Sequence, residues 1–203
     1  MSPAPVLEAS PPEPPPGYPR EFERRLNLRD GRTVLARPIV PSDQDALGYA
    51  FRTADADTLR LRFLGIPPRP TPGLIARLCT VDYRQRFALV AIDAATGHGA
   101  AVARYEPASP GVAEVAVAVD PAWRRVGLAT ALVELLAEAA LERGLHSFDA
   151  SYLAGNLPVA AIVHLVGDAR AFVRQGVAEV EVARDPERVG EAVRRLQAPG
   201  RQG

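Results

Sequence analysis

The 203-residue chain contains no lysine: every one of its 24 basic residues is arginine, balanced by 24 acidic residues. A net charge of zero withholds the positive surplus that gripping nucleic acid requires, so no nucleic-acid partner is expected. The single cysteine, Cys79, excludes a disulfide framework and a cysteine-based zinc cluster. Three histidines, His98, His146 and His164, stand apart without acidic partners at ligand spacing, so no metal is expected either. No apolar run approaches the roughly 20 residues that span a bilayer, which argues against a membrane partner. The first residues lack the basic-then-apolar order of a signal peptide, which predicts a cytoplasmic protein. The missing lysines themselves fit a GC-rich genome, whose codons favour arginine and alanine; avoidance of a reactive amine is the alternative.

What is present suits a folded domain, with 47% hydrophobic and 24% charged residues. Eight of the 20 prolines fall within the first nineteen residues, so residues 1–20 read as a disordered, proline-rich tail that buries little. Thr33 to Ile39 then alternates as a strand. Ser42, with Asp43 and Asp45 behind it, reads as the cap of a helix to about Arg52. Asp55 to Phe63 is a second helix, and Thr71-Pro72 opens a third that reaches Cys79. Three strands follow, Phe87–Ile92, Ala100–Tyr105 and Ala113–Val119, joined by short turns as an antiparallel meander. Gly127 to Arg143 carries the clearest helical period, with Leu128, Leu132, Leu135 and Ala139 on one face and Gly144 as a C-terminal stop. Phe148–Leu153 is a strand and Pro158–Val166 a helix. A hairpin turns about Gln175-Gly176, and Asp185-Pro186 starts a final helix. This order predicts an α+β fold with a central mixed, largely antiparallel sheet and helices on both faces. The domain would run from 21 to 184, with a C-terminal helix and tail over 185–203.

The stretch from Glu114 to Thr130 carries the chemistry. A strand enters a basic turn, Trp123-Arg124-Arg125-Val126-Gly127, that opens directly onto the strongest helix. The first turn of a helix leaves backbone N–H groups unpaired and holds about half a positive charge, so it accepts an anion such as a pyrophosphate. Gly127 and Ala129 leave room for such an approach. Taken alone, the same spacing also describes an ordinary strand-to-helix connection with solvated arginines. Period-two alternation sets Glu114 on one strand face with Ala116 and Ala118, a carboxylate beside open space. That acid is either a proton acceptor or a surface charge at the strand edge.

Arg124-x-x-Gly127-x-Ala129 resembles the acyl-CoA pyrophosphate motif of the GNAT superfamily of N-acyltransferases, and the element order from about residue 30 to 183 matches that fold. Asn156, eleven residues before Gly167, is similar to the family's N…G pattern. Arg29-Asp30-Gly31, Ala36-Arg37-Pro38-Ile39, Leu61-Arg62-Phe63 and Val81-Asp82-Tyr83 resemble bacterial protein lysine acetyltransferases of the Pat type, which acetylate acyl-CoA synthetases.

The resemblance implies acetyl-CoA as acyl donor, its pyrophosphate on the amides of Val126, Gly127, Leu128, Ala129 and Thr130 beside Arg124 and Arg125. The thioester would lie along Val117, Ala118 and Val119, with Asn156 at the pantetheine side. Glu114 would be the general base for direct attack by an amine, and the amine a lysine on a protein such as an acyl-CoA synthetase. Alternatives are a small-molecule amine acceptor, or a non-catalytic acyl-CoA sensor. Two positions depart from the family: Val163 stands where many members have a tyrosine acid, and Asp168 replaces an aromatic after Gly167.

Overall fold

A computed structural model describes residues 3–153, 159–160, 162 and 167–197. Eight strands form one sheet: β1 (Arg24–Asn27), β2 (Thr33–Pro38), β3 (Phe87–Asp93), β4 (Gly99–Ser109), β5 (Val112–Val119), β6 (Ser147–Leu153), β7 (Gly167–Arg174) and β8 (Val177–Arg184). Their spatial order is β1-β2-β3-β4-β5-β6-β8-β7, and every neighbouring pair is antiparallel except β5 with β6. The α+β sheet with helices on both faces is thus as expected from the sequence.

The uninterrupted apolar run of β3 explains how two cores share one sheet, because a strand buried on both faces has no polar side to alternate with. Phe87, Leu89 and Ala91 point to the core built by α4 (Leu128–Glu142), and Ala88, Val90 and Ile92 to a second core. That second core is closed by Leu47 and Phe51 of α1 (Gln44–Thr53) and by Ile75 and Cys79 of α3 (Pro72–Cys79). Between them, α2 (Ala56–Phe63) is capped by the Asp55 carboxylate, which accepts from the Thr58 amide at 2.8 Å. Along α4, Leu128, Leu132, Leu135 and Leu136 are buried, each contributing about 1.5–3 kcal/mol. A C-terminal helix, Pro186–Gln197, packs on α4. Burial pushes the Cys79 thiol up to about 12, with the Asp43 charge adding to the shift, so it is inert packing.

Two expectations change, for Ser42 and for residues 1–20, and two features are added. β1, too short and too charged to alternate, was not legible; it exists by pairing Arg24–Asn27 against Thr33–Ala36. Ser42 caps nothing, because Pro41–Asp43 forms a 3-10 turn and Asp43 supplies the carboxylate. Residues 3–20 carry no helix or strand beyond the 3-10 start at Arg20, yet they are laid on the body rather than excluded from it. The Leu7 amide donates to the Gly97 carbonyl at 2.8 Å, Pro11 and Pro19 are buried, and the Tyr18 ring meets Tyr83 edge-on at 5.7 Å. Lastly, Asp168 leaves β7 regular and pairs with Arg188 at 3.0 Å. The hairpin at Gln175-Gly176 has φ of 49° and 80°, the paired positive values of a type I′ turn. Of the helix expected over 158–166, Val159, Ala160 and Ile162 are helical; Asn156, Val163 and His164 lie outside the described residues.

The leader is tied to the body through a buried ion pair. Arg37 Nη1 and Nη2 each donate to the Asp43 carboxylate at 2.8 Å, and both side chains are almost fully enclosed. Arg37 Nε donates to the Glu8 carbonyl at 2.7 Å, and the Val40 amide donates to Asp43 at 2.9 Å. Removing one partner strands a buried charge, which is why such pairs are costly to break. Asp43→Ala should therefore lower stability by about 3–5 kcal/mol in urea denaturation. It should also expose the leader to limited proteolysis.

Candidate active site

The geometry of the site begins where β5 and β6 stop pairing. Their parallel contact covers three rungs, Val112–Ser147, Ala113–Phe148 and Glu114–Asp149. Beyond them β5 continues to Val119 and β6 to Leu153 with no described strand between, so the two edges diverge into a cleft. On β5 past Glu114, the backbone groups that face this cleft have no strand partner, and an extended ligand can satisfy them. A register irregularity in β4, between Pro107 and Ser109, lies at the paired end, opposite Val112 and Ala113, while the β4–β5 ladder is regular from Glu114 to Val119 along the cleft.

The open end of the cleft leads into the turn before α4. Gly127 caps α4 with φ of 91°, and Arg125 has φ of 64°, so the turn alternates through left-handed backbone. Glycine adopts that conformation without the cost a Cβ brings. The first bond inside the helix runs from the Ala131 amide to the Gly127 carbonyl at 3.1 Å, which leaves the amides of Leu128, Ala129 and Thr130 ahead of it facing outward. Trp123 is buried in the core, and the Arg32 guanidinium lies 3.9 Å from its ring centroid.

Arginines surround this turn in unequal roles. Arg124 Nη2 donates to the Thr58 hydroxyl at 2.6 Å and approaches Asp55 at 3.7 Å, so its side chain anchors α2 to the turn. Arg125 is exposed. Arg29 was not a candidate from sequence, yet its amide donates to the Val126 carbonyl at 3.2 Å. Its side chain flanks Gly127, where an added Cβ would meet Nε at 3.5 Å. Only the β1–β2 turn carries it there, so the signal available was its place in the Arg29-Asp30-Gly31 segment alone.

Glu114 is exposed at the last shared rung, on the same face as Ala116 and Ala118. Its strand neighbours are also acidic, Glu106 on β4 and Asp149 on β6. The three carboxylates differ in environment. Glu106 receives Arg104 at 2.9 Å, Arg86 at 3.1 Å and Arg77 at 3.6 Å. Burial alone would raise its carboxyl, but the Arg86 hydrogen bond and the charges of Arg104, Arg86 and Arg77 hold it below the usual range. Asp149 is pushed up by burial and then by Glu181. Glu114 makes no ion pair among the described residues; its charge and that of Glu106 act on Arg62 of α2, though burial outweighs them and lowers the Arg62 guanidinium. Arg60 pairs with Asp57 in its own helix and Arg77 with Glu106, whereas Arg62 has no ion pair among the described residues and lies over the Phe63 ring at 4.9 Å. Among the described residues no group of His, Cys, Asp and Glu is placed to hold a metal ion, and no helix is long and apolar enough to cross a membrane.

Comparison with known proteins follows the same geometry. The model of the acetyltransferase (GNAT) family matches residues 6–162. An acetyltransferase of Pseudomonas aeruginosa, PA5475, is 30% identical over 121 residues, 58% of this chain and 65% of that protein. Acetyltransferase Pat of Mycolicibacterium smegmatis is 29% identical over 161 residues, 77% of this chain and 47% of that protein. The chain thus spans less than two thirds of either curated relative. Among solved structures, the GNAT domain of S. lividans PAT superposes with a TM-score of 0.72 at 28% identity, covering 82% of this chain and 99% of that one.

The arginine cage makes Glu106 a stabilising ion rather than a base. Because its folded-state pKa is depressed, its contribution is complete above the ordinary carboxylate pKa and is lost as pH falls through the lowered value. Glu106→Gln should cost about 1–3 kcal/mol at neutral pH by leaving buried Arg104 without a counter-charge. In acid the two proteins should converge, read by urea denaturation across a pH series.

Proposed function

The chain belongs to the acetyltransferase (GNAT) family, and from that premise we propose that it moves an acetyl group from acetyl-CoA to a lysine side chain of another protein, with Glu114 as general base. The observation that carries the reading is Glu114 itself, an acid without an ion pair among the described residues, at the rung where β5 and β6 part. A free lysine has a pKa of ~10.4, so deprotonating it at neutral pH costs about 4.6 kcal/mol. A carboxylate with no ion pair among the described residues can take that proton, directly or through one water. Glu106, one strand away, is held by three arginines and is a poor acceptor.

The family implies an acyl-CoA donor, and the residues present fit one. Acetyl-CoA supplies the acetyl group as a thioester. The outward amides from Val126 to Thr130, with Arg29 and Arg125 beside them, suit its pyrophosphate. Arg124 contributes by holding α2 against this turn. Along Val117, Ala118 and Val119, a cleft-facing amide would donate to the thioester carbonyl, where negative charge builds as the amine attacks. Asn156 belongs to the same proposal at the pantetheine side. The likeness to Pat of M. smegmatis and to the S. lividans PAT domain supports a protein acceptor. An acyl-CoA synthetase in the cytoplasm is the substrate this reading favours.

Absence of lysine sharpens the test, since any acetyl-lysine formed belongs to a substrate. Labelled acetyl-CoA in a lysate of the source organism should mark protein lysines, and Glu114→Gln should reduce the rate by about 10²–10⁴-fold. Label confined to small molecules would move the acceptor to a free amine, and tight binding without transfer would make the chain a sensor. Gly127→Glu should abolish acetyl-CoA binding in calorimetry, for a carboxylate would occupy the phosphate position. Its backbone strain should lower stability by about 1–2 kcal/mol, leaving the fold intact by circular dichroism.

A further inference from the structure

The two outer strands of the sheet are protected unequally. β1 is four residues long and carries Arg24 and Arg25, a short charged edge of the kind that resists pairing. β7 is eight residues long, and its residues from Arg170 to Arg174 are exposed. Phe172 and Val173 stand 70% and 66% exposed, which makes this strand one of the few places where large apolar side chains meet solvent. Among the described residues no strand pairs with β7 on the side away from β8, and an edge of that length and character presents a row of N–H and C=O groups to any strand of matching pattern.

The strand is its own match when reversed. An antiparallel register centred on Ala171 sets Asp168 opposite Arg174 and Arg170 opposite Phe172 on one face, and Ala169 opposite Val173 on the other. Directly opposed side chains lie close enough for ion pairing and for an arginine to cover an aromatic ring. By symmetry each pair occurs twice. Sliding the register by two residues sets Arg170 against Arg170 in one direction and against Arg174 in the other, so like charges oppose both slips. Asp168 is 86% exposed and spends Oδ1 on Arg188 at 3.0 Å, leaving Oδ2 to accept.

We propose that β7 is a self-association edge, through which two copies of the chain pair antiparallel about Ala171 and join their sheets across a two-fold axis. The contact is isologous, the closed arrangement commonest among homodimers. It lies beyond β8, away from the β5–β6 cleft, so the proposal does not depend on the acetyl-transfer reading.

Light scattering on the full chain at rising concentration should show the mass climb from 21.7 kDa towards twice that value. Arg174→Asp, which sets Asp168 against a second acid, should hold it at the monomer mass. Adding Asp168→Arg to that variant should restore the dimer, with melting curves confirming that both proteins are folded. Ala171→Cys should form a disulfide-linked dimer under mild oxidation, because the register brings the two positions together while Cys79 stays buried. Val173→Cys, whose partner is Ala169, should not. A monomer up to the solubility limit, a dimer indifferent to Arg174→Asp, or equal cross-linking at position 173 would each overturn the proposal.

Discussion

Three parallel rungs between β5 and β6 govern the rest of the molecule. Parallel strands need a crossover, and α4 supplies it, entering at the open end of the cleft and returning the chain to Ser147. Because pairing ends at Glu114–Asp149, the free edge of β5 and the unpaired amides of α4 face the same space. One divergence thus produces both a backbone edge for an extended ligand and a helix start for an anion. Glu114 stands at the vertex of that divergence, which decides its exposure.

Electrostatics then separates residues that look equivalent. Glu106, Glu114 and Asp149 are consecutive across one rung of the sheet, yet one is clamped by arginines, one has no ion pair among the described residues, and one is raised by burial and Glu181. The use of arginine alone suits this division, since a guanidinium forms several directed bonds and keeps its charge when buried. Arg37 and Arg104 are both nearly enclosed, which an ammonium tolerates less well. An absence attributable to codon usage also leaves the chain without side-chain amines that a thioester could modify.

Most elements were legible because their local signals agree with their tertiary use. The apolar run of β3, the leucine period of α4 and the Thr71-Pro72 start of α3 each had one consistent reading, and each forms close to its expected bounds. The misses share a cause. β1 has no alternation of its own and exists through its partner strand, and the leader reads as a solvated polyproline segment until Gly97, Arg37 and Tyr83 receive it. Ser42 loses its expected place because Pro41–Asp43 forms a 3-10 turn, in which the Asp43 carboxylate accepts from the Val40 amide and from Arg37.

The α+β order, the glycine-bearing turn before α4, and the place of Glu114 on the small-residue face of its strand are all written in the order of residues. Those follow from periodicity and backbone preference, which are local. Which charges neutralise which emerges on folding: Arg124 anchors α2, Arg29 arrives from the β1–β2 turn beside Gly127, and Glu106 rather than Glu114 collects the arginines. Coulomb interactions and hydrogen bonds depend on distance in space, and strands remote in sequence set that distance.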